Sequence, residues 1–244
     1  MDIQEYLVNP MGKGNSIFMI REMKNILDRQ YMEIQSNIRL SWYKLQDKYY
    51  IAHIQIPSKS VEKLFYDVLL EFDIDSIPKN TAIINKAKVR VFSNCPSFTY
   101  TFAYVFNKNG DLIEWCRGKY EKEIFSKPPV KRNPYELYSY EKSLYFAIKY
   151  ITSGGRNNTK NISLKHIEVS TYQKIYVNIK SSSDTVELYK KKLQKAKEKE
   201  KPKKVSTTTK KQNVPKKTNN KNTKKTKTTN MTKKTNVTKK VRKI

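Results

Sequence analysis

Cysteine, histidine and glycine are scarce in this 244-residue chain, and each scarcity excludes a class of chemistry. Two cysteines, Cys95 and Cys116, and two histidines, His53 and His166, cannot supply the paired, closely spaced ligands of a structural zinc site. Met1–Glu5 has neither a basic region nor an apolar stretch, so no secretory leader is expected and the two thiols are read as free. Nucleophilic catalysis needs a nucleophile, a base and a group that orients the base. His53 alternates within an expected strand, and both histidines read as structural or exposed. Of the glycines, Gly154-Gly155 precedes Arg156 and could offer N–H groups to a phosphate. No Gly-Lys-Ser/Thr follows, so the pair reads as a helix stop. Long apolar runs are missing too, and no membrane span is expected.

Acidic and aromatic residues are absent from the last 44 positions, although the chain carries 17 Tyr, 9 Phe and 2 Trp upstream. The same 44 positions hold 17 Lys/Arg, which leaves +11 of the net +28 on the first 200 residues. Thr-Lys-Lys recurs at Thr209–Lys211, Thr223–Lys225, Thr232–Lys234 and Thr238–Lys240, with Pro-Lys-Lys at Pro202–Lys204 and Pro215–Lys217. With no apolar face to offset ordering entropy, residues 201–244 are expected to be a disordered tail. Lysine is a flexible point charge suited to phosphate and brings no geometry for reading a base. The nucleic-acid-binding candidates are therefore Lys203, Lys204, Lys210, Lys211, Lys216, Lys217, Lys224, Lys225, Lys227, Lys233, Lys234, Lys239, Lys240, Arg242 and Lys243. They would engage the DNA or RNA backbone through counterion release, without sequence preference. A solubilising tail, an anionic surface and an acidic partner are the competing readings.

Upstream of the tail the pattern is that of an α+β domain over residues 15–182, preceded by an irregular arm (1–14) and followed by a short charged helix (183–200). Ile17, Ile20, Met23 or Lys24, Leu27, Tyr31, Ile34 and Ile38 recur at spacings of three and four, predicting a helix over Asn15–Gln35. Alternating runs at Ile38–Leu45 and Tyr49–Ile56 predict a β-hairpin. Val61, Leu64, Phe65, Val68, Leu69 and Phe72 make an apolar stripe after Ser60, predicting a helix over Val61–Phe72. Lys88–Phe92 reads as a short strand, Leu112–Trp115 as another, and Tyr140–Ile151 as a helix. Tyr172–Ile179 reads as the last strand, and Asp184 with Glu187 as a capping box.

The most distinctive stretch is Ser97–Phe106, in which Phe98, Tyr100, Phe102, Tyr104 and Phe106 occupy every second position. Period two predicts a strand, pairing with Lys88–Phe92 at the centre of an antiparallel sheet with about three packed helices. Its aromatic face is read as core, with a base-stacking platform as the alternative. Glu71, Asp73 and Asp75 could hold a divalent cation through oxygen ligands, as nucleases require, although an exposed acidic loop explains them more cheaply. Lys127, Lys131 and Arg132 flank the prolines, and Lys86, Lys88 and Arg90 precede the turn into the aromatic run.

Two stretches, Ser93–Phe106 (SNCPSFTYTFAYVF) and Arg132–Ile151 (RNPYELYSYEKSLYFAIKYI), resemble uncharacterised proteins of phages that infect AT-rich Gram-positive bacteria. The tail is similar to the lysine-rich tails of linker histones and bacterial histone-like proteins. The first resemblance implies a setting, a virion or the cytoplasm of an infected cell, and neither carries a functional residue. The sequence thus favours a non-enzymatic, nucleic-acid-associated protein, possessing no cofactor, whose domain makes a protein contact or self-associates. A metal-dependent enzyme acting on nucleic acid and an assembly protein with an acidic partner are the alternatives.

Overall fold

The sheet begins with an antiparallel hairpin of β1 (Arg39–Leu45), exposed or half-buried until Leu45, and β2 (Tyr49–Pro57), buried from Ile51 to Ile54. The computed structural model describes Ile3, Tyr6 and residues 17–45, 48–73, 88–136, 138, 140–153 and 167–200. Contacts divide the chain into Met1–Pro202 and Lys203–Ile244, and the second unit, with every tail lysine named above, lies outside the described residues. The fold is α+β. A five-stranded mixed sheet runs β4-β3-β2-β1-β5, with β3 at Phe65–Asp73, β4 at Val89–Ser93 and β5 at Glu168–Ser170. Among the described strand pairs only β1–β5 is parallel.

The stripe at Val61–Phe72 is not a helix. Ser60–Leu64 forms a turn closed by the Ser58 N–H donating to the Leu64 carbonyl at 2.8 Å, and Phe65 opens β3. A central strand covered on both faces needs a nearly continuous apolar run, and such a run contains helical spacings by accident. Register separates the faces. Ile54 opposite Val68 and Ile56 opposite Tyr66 lie on one side, while His53 opposite Leu69 and Gln55 opposite Asp67 lie on the other.

The aromatic run is helical as well. Cys95 is extended (φ −61°, ψ 132°), Pro96 takes the first helical position of α2 (Pro96–Thr101), and α3 (Ala103–Lys108) follows a break at Phe102. Phe98, Phe102 and Phe106 are four apart as well as an even number apart, so a helix stacks them on one side. Phe98 and Phe106 are fully buried with ring centroids 5.2 Å apart, so these two are core, on a helix and not on a strand. The hairpin expected with Lys88–Phe92 is therefore absent. β4 instead makes a single parallel bridge, Val91 to Leu112, and the strand expected at Leu112–Trp115 gives way to a 3-10 turn over Glu114–Lys119. A short helix, α4 (Glu123–Ser126), comes next.

The helix α1 (Ile17–Ile34) packs against α5 (Lys142–Thr152), with the Tyr31 and Phe146 rings 6.0 Å apart. Lys149 on α5 pairs with Asp28 on α1, and Tyr145 Oη donates to the same carboxylate at 2.5 Å. The helix α5 lies against β2 and β3, burying Leu144, Ala147, Ile148 and Ile151. Glu141 caps it by accepting the Leu144 N–H at 2.8 Å. Ile3 and Tyr6 are helical and buried, so the arm is not irregular at these positions, and Tyr6 Oη accepts the Glu141 N–H at 3.1 Å.

Tyr172–Ile179 is likewise not a strand. Thr171 caps α6 (Tyr172–Asn178) by accepting the Lys174 N–H at 3.3 Å, and Ile175 and Ile179 turn inward. The last helix, α7 (Ser182–Glu200), starts before the expected capping box. Ser181 Oγ accepts the Asp184 N–H at 3.1 Å, while Glu187 pairs with Lys191 one turn on. No helix among the described residues is long and apolar enough to cross a membrane.

Candidate nucleic-acid interface

Exposed cations and aromatic rings meet where the proline-rich segment crosses α2. Prolines at 128, 129 and 134 hold the segment off any helix, and a tight turn follows in which Pro129 carbonyl accepts the Arg132 and Asn133 N–H groups at 2.9 and 2.8 Å. Asn133 is buried and donates from Nδ2 to the Thr101 carbonyl at 3.3 Å, tying the turn to the end of α2. Lys108 on α3 pairs with Glu136, a second tie.

Between these ties lies an open groove of about 400 Å³ lined by Tyr100, Pro129, Val130, Lys131 and Arg132. The Arg132 guanidinium carbon sits 5.6 Å from the Tyr100 ring centroid, a cation–π contact. Lys127, Lys131 and Arg132 are all exposed, and Tyr135 just beyond them is 81 % exposed. Glu121 and Glu123 are exposed nearby, and Glu121 helps to raise the Tyr100 hydroxyl above its ordinary pKa, after burial and against Arg132. An arrangement of this kind can bind a phosphate through Lys131 and Arg132 while an unstacked base lies on a tyrosine ring. Tyr100 was legible only as one of five rings, and Tyr135 only as part of the proline segment; the helical turn that leaves Tyr100 half-buried beside Arg132 decides its role.

The other sequence candidates are placed differently. Arg90 is committed to Glu71, with Nη2 2.5 Å from Oε1 in an ionic contact that is not a well-directed hydrogen bond. Trp115 Nε1 donates to Glu71 Oε2 at 2.7 Å. Glu71 is buried within β3, and burial raises its carboxyl pKa despite both partners. Asp73 ends the same strand opposite Tyr49, and Asp75 lies outside the described residues, as do Lys86 and Gly154–Arg156. The exposed acidic loop is thus corrected at Glu71, which is an interior ion-pair residue. Among the described residues no group of three or more His, Cys, Asp or Glu side chains is placed to hold a metal ion.

His53 is buried on β2 and hydrogen-bonded to Asp67 on β3, while His166 lies outside the described residues. Cys95 and Cys116 are free and buried. Burial, with Glu141 adding to it, pushes the Cys95 thiol up to about 12, which is the opposite of what a nucleophilic thiolate needs. Cys95 shares a pocket with Ile56 and Tyr66, on the sheet face opposite His53, so no Cys–His pair forms there. Comparisons with family models, curated proteins and solved structures return no match.

Proposed function

We propose that this is a non-enzymatic nucleic-acid-associated protein whose lysine-rich residues 201–244 hold the phosphate backbone without sequence preference. The observation that carries the reading is charge segregation: 17 cationic groups in 44 residues with no acid among them. Cations in this number with no acid among them favour binding through counterion release. The groove of Lys131, Arg132 and Tyr100 supports a second, domain-borne contact in which a strand with unpaired bases is favoured. A protein contact or self-association through the same domain belongs to this reading. A virion or the cytoplasm of an infected cell is the proposed setting. The metal-dependent alternative draws no support from Glu71, whose carboxylate already serves Arg90 and Trp115.

Titration of the full chain against two unrelated duplexes at several salt concentrations tests the reading. With roughly six lysines engaged, the log–log salt slope is near −5, equal for the two duplexes. Replacing Lys224, Lys225, Lys227, Lys233 and Lys234 together by Gln flattens that slope. An unchanged slope in this variant overturns the tail's role, and a marked preference for one duplex moves recognition into the domain.

A further inference from the structure

The strip of chain Arg117–Arg132 carries six cations, and the fold engages only one of them. Lys119 Nζ donates to the Ile179 carbonyl at 2.7 Å and lies 4.0 Å from the Tyr176 ring centroid. Arg117, Lys122, Lys127, Lys131 and Arg132 are exposed, and none forms an ion pair with a described residue. Lysines elsewhere on the described surface, such as Lys59, Lys108 and Lys174, do. Only Glu121 and Glu123 stand against these five, which leaves the five and the two together three charges positive. Exposed charge of one sign attracts a polyanion but does not say which kind.

Two of the five cations are arginines seated on rings. Arg132 on Tyr100 is one, and the Arg117 guanidinium carbon, 5.3 Å from the Phe125 centroid, is the other. Phe125 is half-buried and braced by Tyr120, whose ring meets it edge-on at 5.6 Å. Tyr120 is itself tied to β4, its Oη donating to the Ser93 carbonyl at 2.8 Å and accepting the Ser93 N–H at 3.1 Å. The two seats lie on neighbouring elements. The helix α4 packs against α3, and the charge of Glu121, just ahead of α4, is felt at Tyr100. Phe125 is four residues from Pro129 in the groove, a reach of at most about 14 Å. A guanidinium held on a ring offers a planar face to a base and N–H donors to a phosphate, where lysine offers charge alone.

We infer that a single strand of nucleic acid runs along this strip and stacks unpaired bases at both arginine seats, Arg117 on Phe125 and Arg132 on Tyr100, with its phosphates on Lys122, Lys127 and Lys131. The inference rests on the domain contact proposed above and extends it from one stacking position to two. A duplex fits less well, because its bases already stack on one another. An acidic peptide meets the lysines but brings no planar base for the guanidinium faces.

The test titrates the full chain with oligothymidylates of two, four and six nucleotides, each beside an abasic strand of the same length and phosphate number. Residues 201–244 contain no aromatic ring, so they hold both strands about equally and the affinity ratio reports stacking by the domain. That ratio is expected to be about tenfold for two nucleotides and to rise about another tenfold by six, one step for each seat. Arg117→Lys keeps the charge and removes the plane, and at an exposed position it leaves the fold intact. It should weaken the six-nucleotide strand by about five- to tenfold, the two-nucleotide strand, which can use the other seat, by about twofold, and the abasic strands by less than that. A ratio equal at two and six nucleotides, or a rise that Arg117→Lys leaves untouched, overturns the second seat while the Arg132–Tyr100 contact stands. A ratio of one at every length overturns that contact and the inference together, since charge alone would then hold the strand and an acidic peptide would serve as well.

Discussion

His53 Nε2 lies 2.9 Å from Asp67 Oδ1 across the β2–β3 ladder, and both residues are buried. Asp67 also accepts from Gln55 Nε2 at 3.2 Å, from Asn94 Nδ2 at 3.0 Å and from the Lys180 N–H at 3.4 Å. One carboxylate thus joins β2, β3, the end of β4 and the lead into α7. Replacing it by Ala strands several buried donors at once, so Asp67→Ala should cost about 3–5 kcal/mol in chemical denaturation. A loss below about 1 kcal/mol would mean the network is solvated and carries little.

The same residue gives acid sensitivity with a definite sign. Burial raises the Asp67 carboxyl, but the bonds from His53 and Gln55 outweigh it and hold the pKa below the ordinary 3.8. Its contribution is complete above that value and fades as pH falls through the lower folded pKa. Glu141 runs the other way. Burial pushes its carboxyl above the ordinary 4.5 despite the bonds from Ser143 and Leu144. The folded state keeps that proton longer than the unfolded chain, so stability is greatest below 4.5 and falls as pH rises through the folded pKa. Glu141→Gln should therefore remove a decline in melting temperature above pH 4.5, while Asp67→Asn should flatten the acid limb. A Glu141→Gln melting curve that keeps the parent's pH dependence would show that another group is responsible.

Phe106 packs its ring 5.2 Å from Phe98 and 4.6 Å from Tyr138, and it is fully buried. Phe106→Ala should cost about 3–5 kcal/mol by leaving a cavity between α2, α3 and the proline segment. Retained stability with impaired oligonucleotide binding would restore the stacking-platform reading of the whole aromatic run.

Residues whose period matched only one element were legible. Tyr49–Pro57 alternates and is a strand, and Leu144, Ala147, Ile148 and Ile151 have helical spacing and are buried on α5. Phe65–Phe72 and Ser97–Phe106 were not, because a nearly continuous apolar run and an every-other aromatic run each satisfy two periods. What decided them was local: the turn before Phe65, where Lys63 has φ +57°, and Pro96 opening a helix after extended Cys95. Glu71 could not be told from Asp73 by composition, since its burial comes from the register that sets it opposite Arg90. The tail lysines carry their reading in charge alone, which needs no register.

Tyr135 and Arg132 offer the most direct test of the domain's own contact with nucleic acid. Tyr135 is 81 % exposed, so its ring contributes little to the core, and Tyr135→Ala should leave the melting temperature within a degree or two. Arg132 rests on Tyr100 at the rim of the groove and is exposed, so Arg132→Gln should be similarly mild for the fold. A base stacked on a tyrosine is worth about 1–3 kcal/mol, and the loss of one phosphate contact lowers the salt slope on single strands by about 0.7. Tyr135→Ala should therefore weaken binding of a single-stranded oligonucleotide by about tenfold while leaving duplex affinity nearly unchanged, because duplex bases are not available to stack. Arg132→Gln should weaken both, single strands more. Equal losses on duplex and single strand for Tyr135→Ala would assign that ring to backbone packing, and no loss on either would leave residues 201–244 as the sole contact.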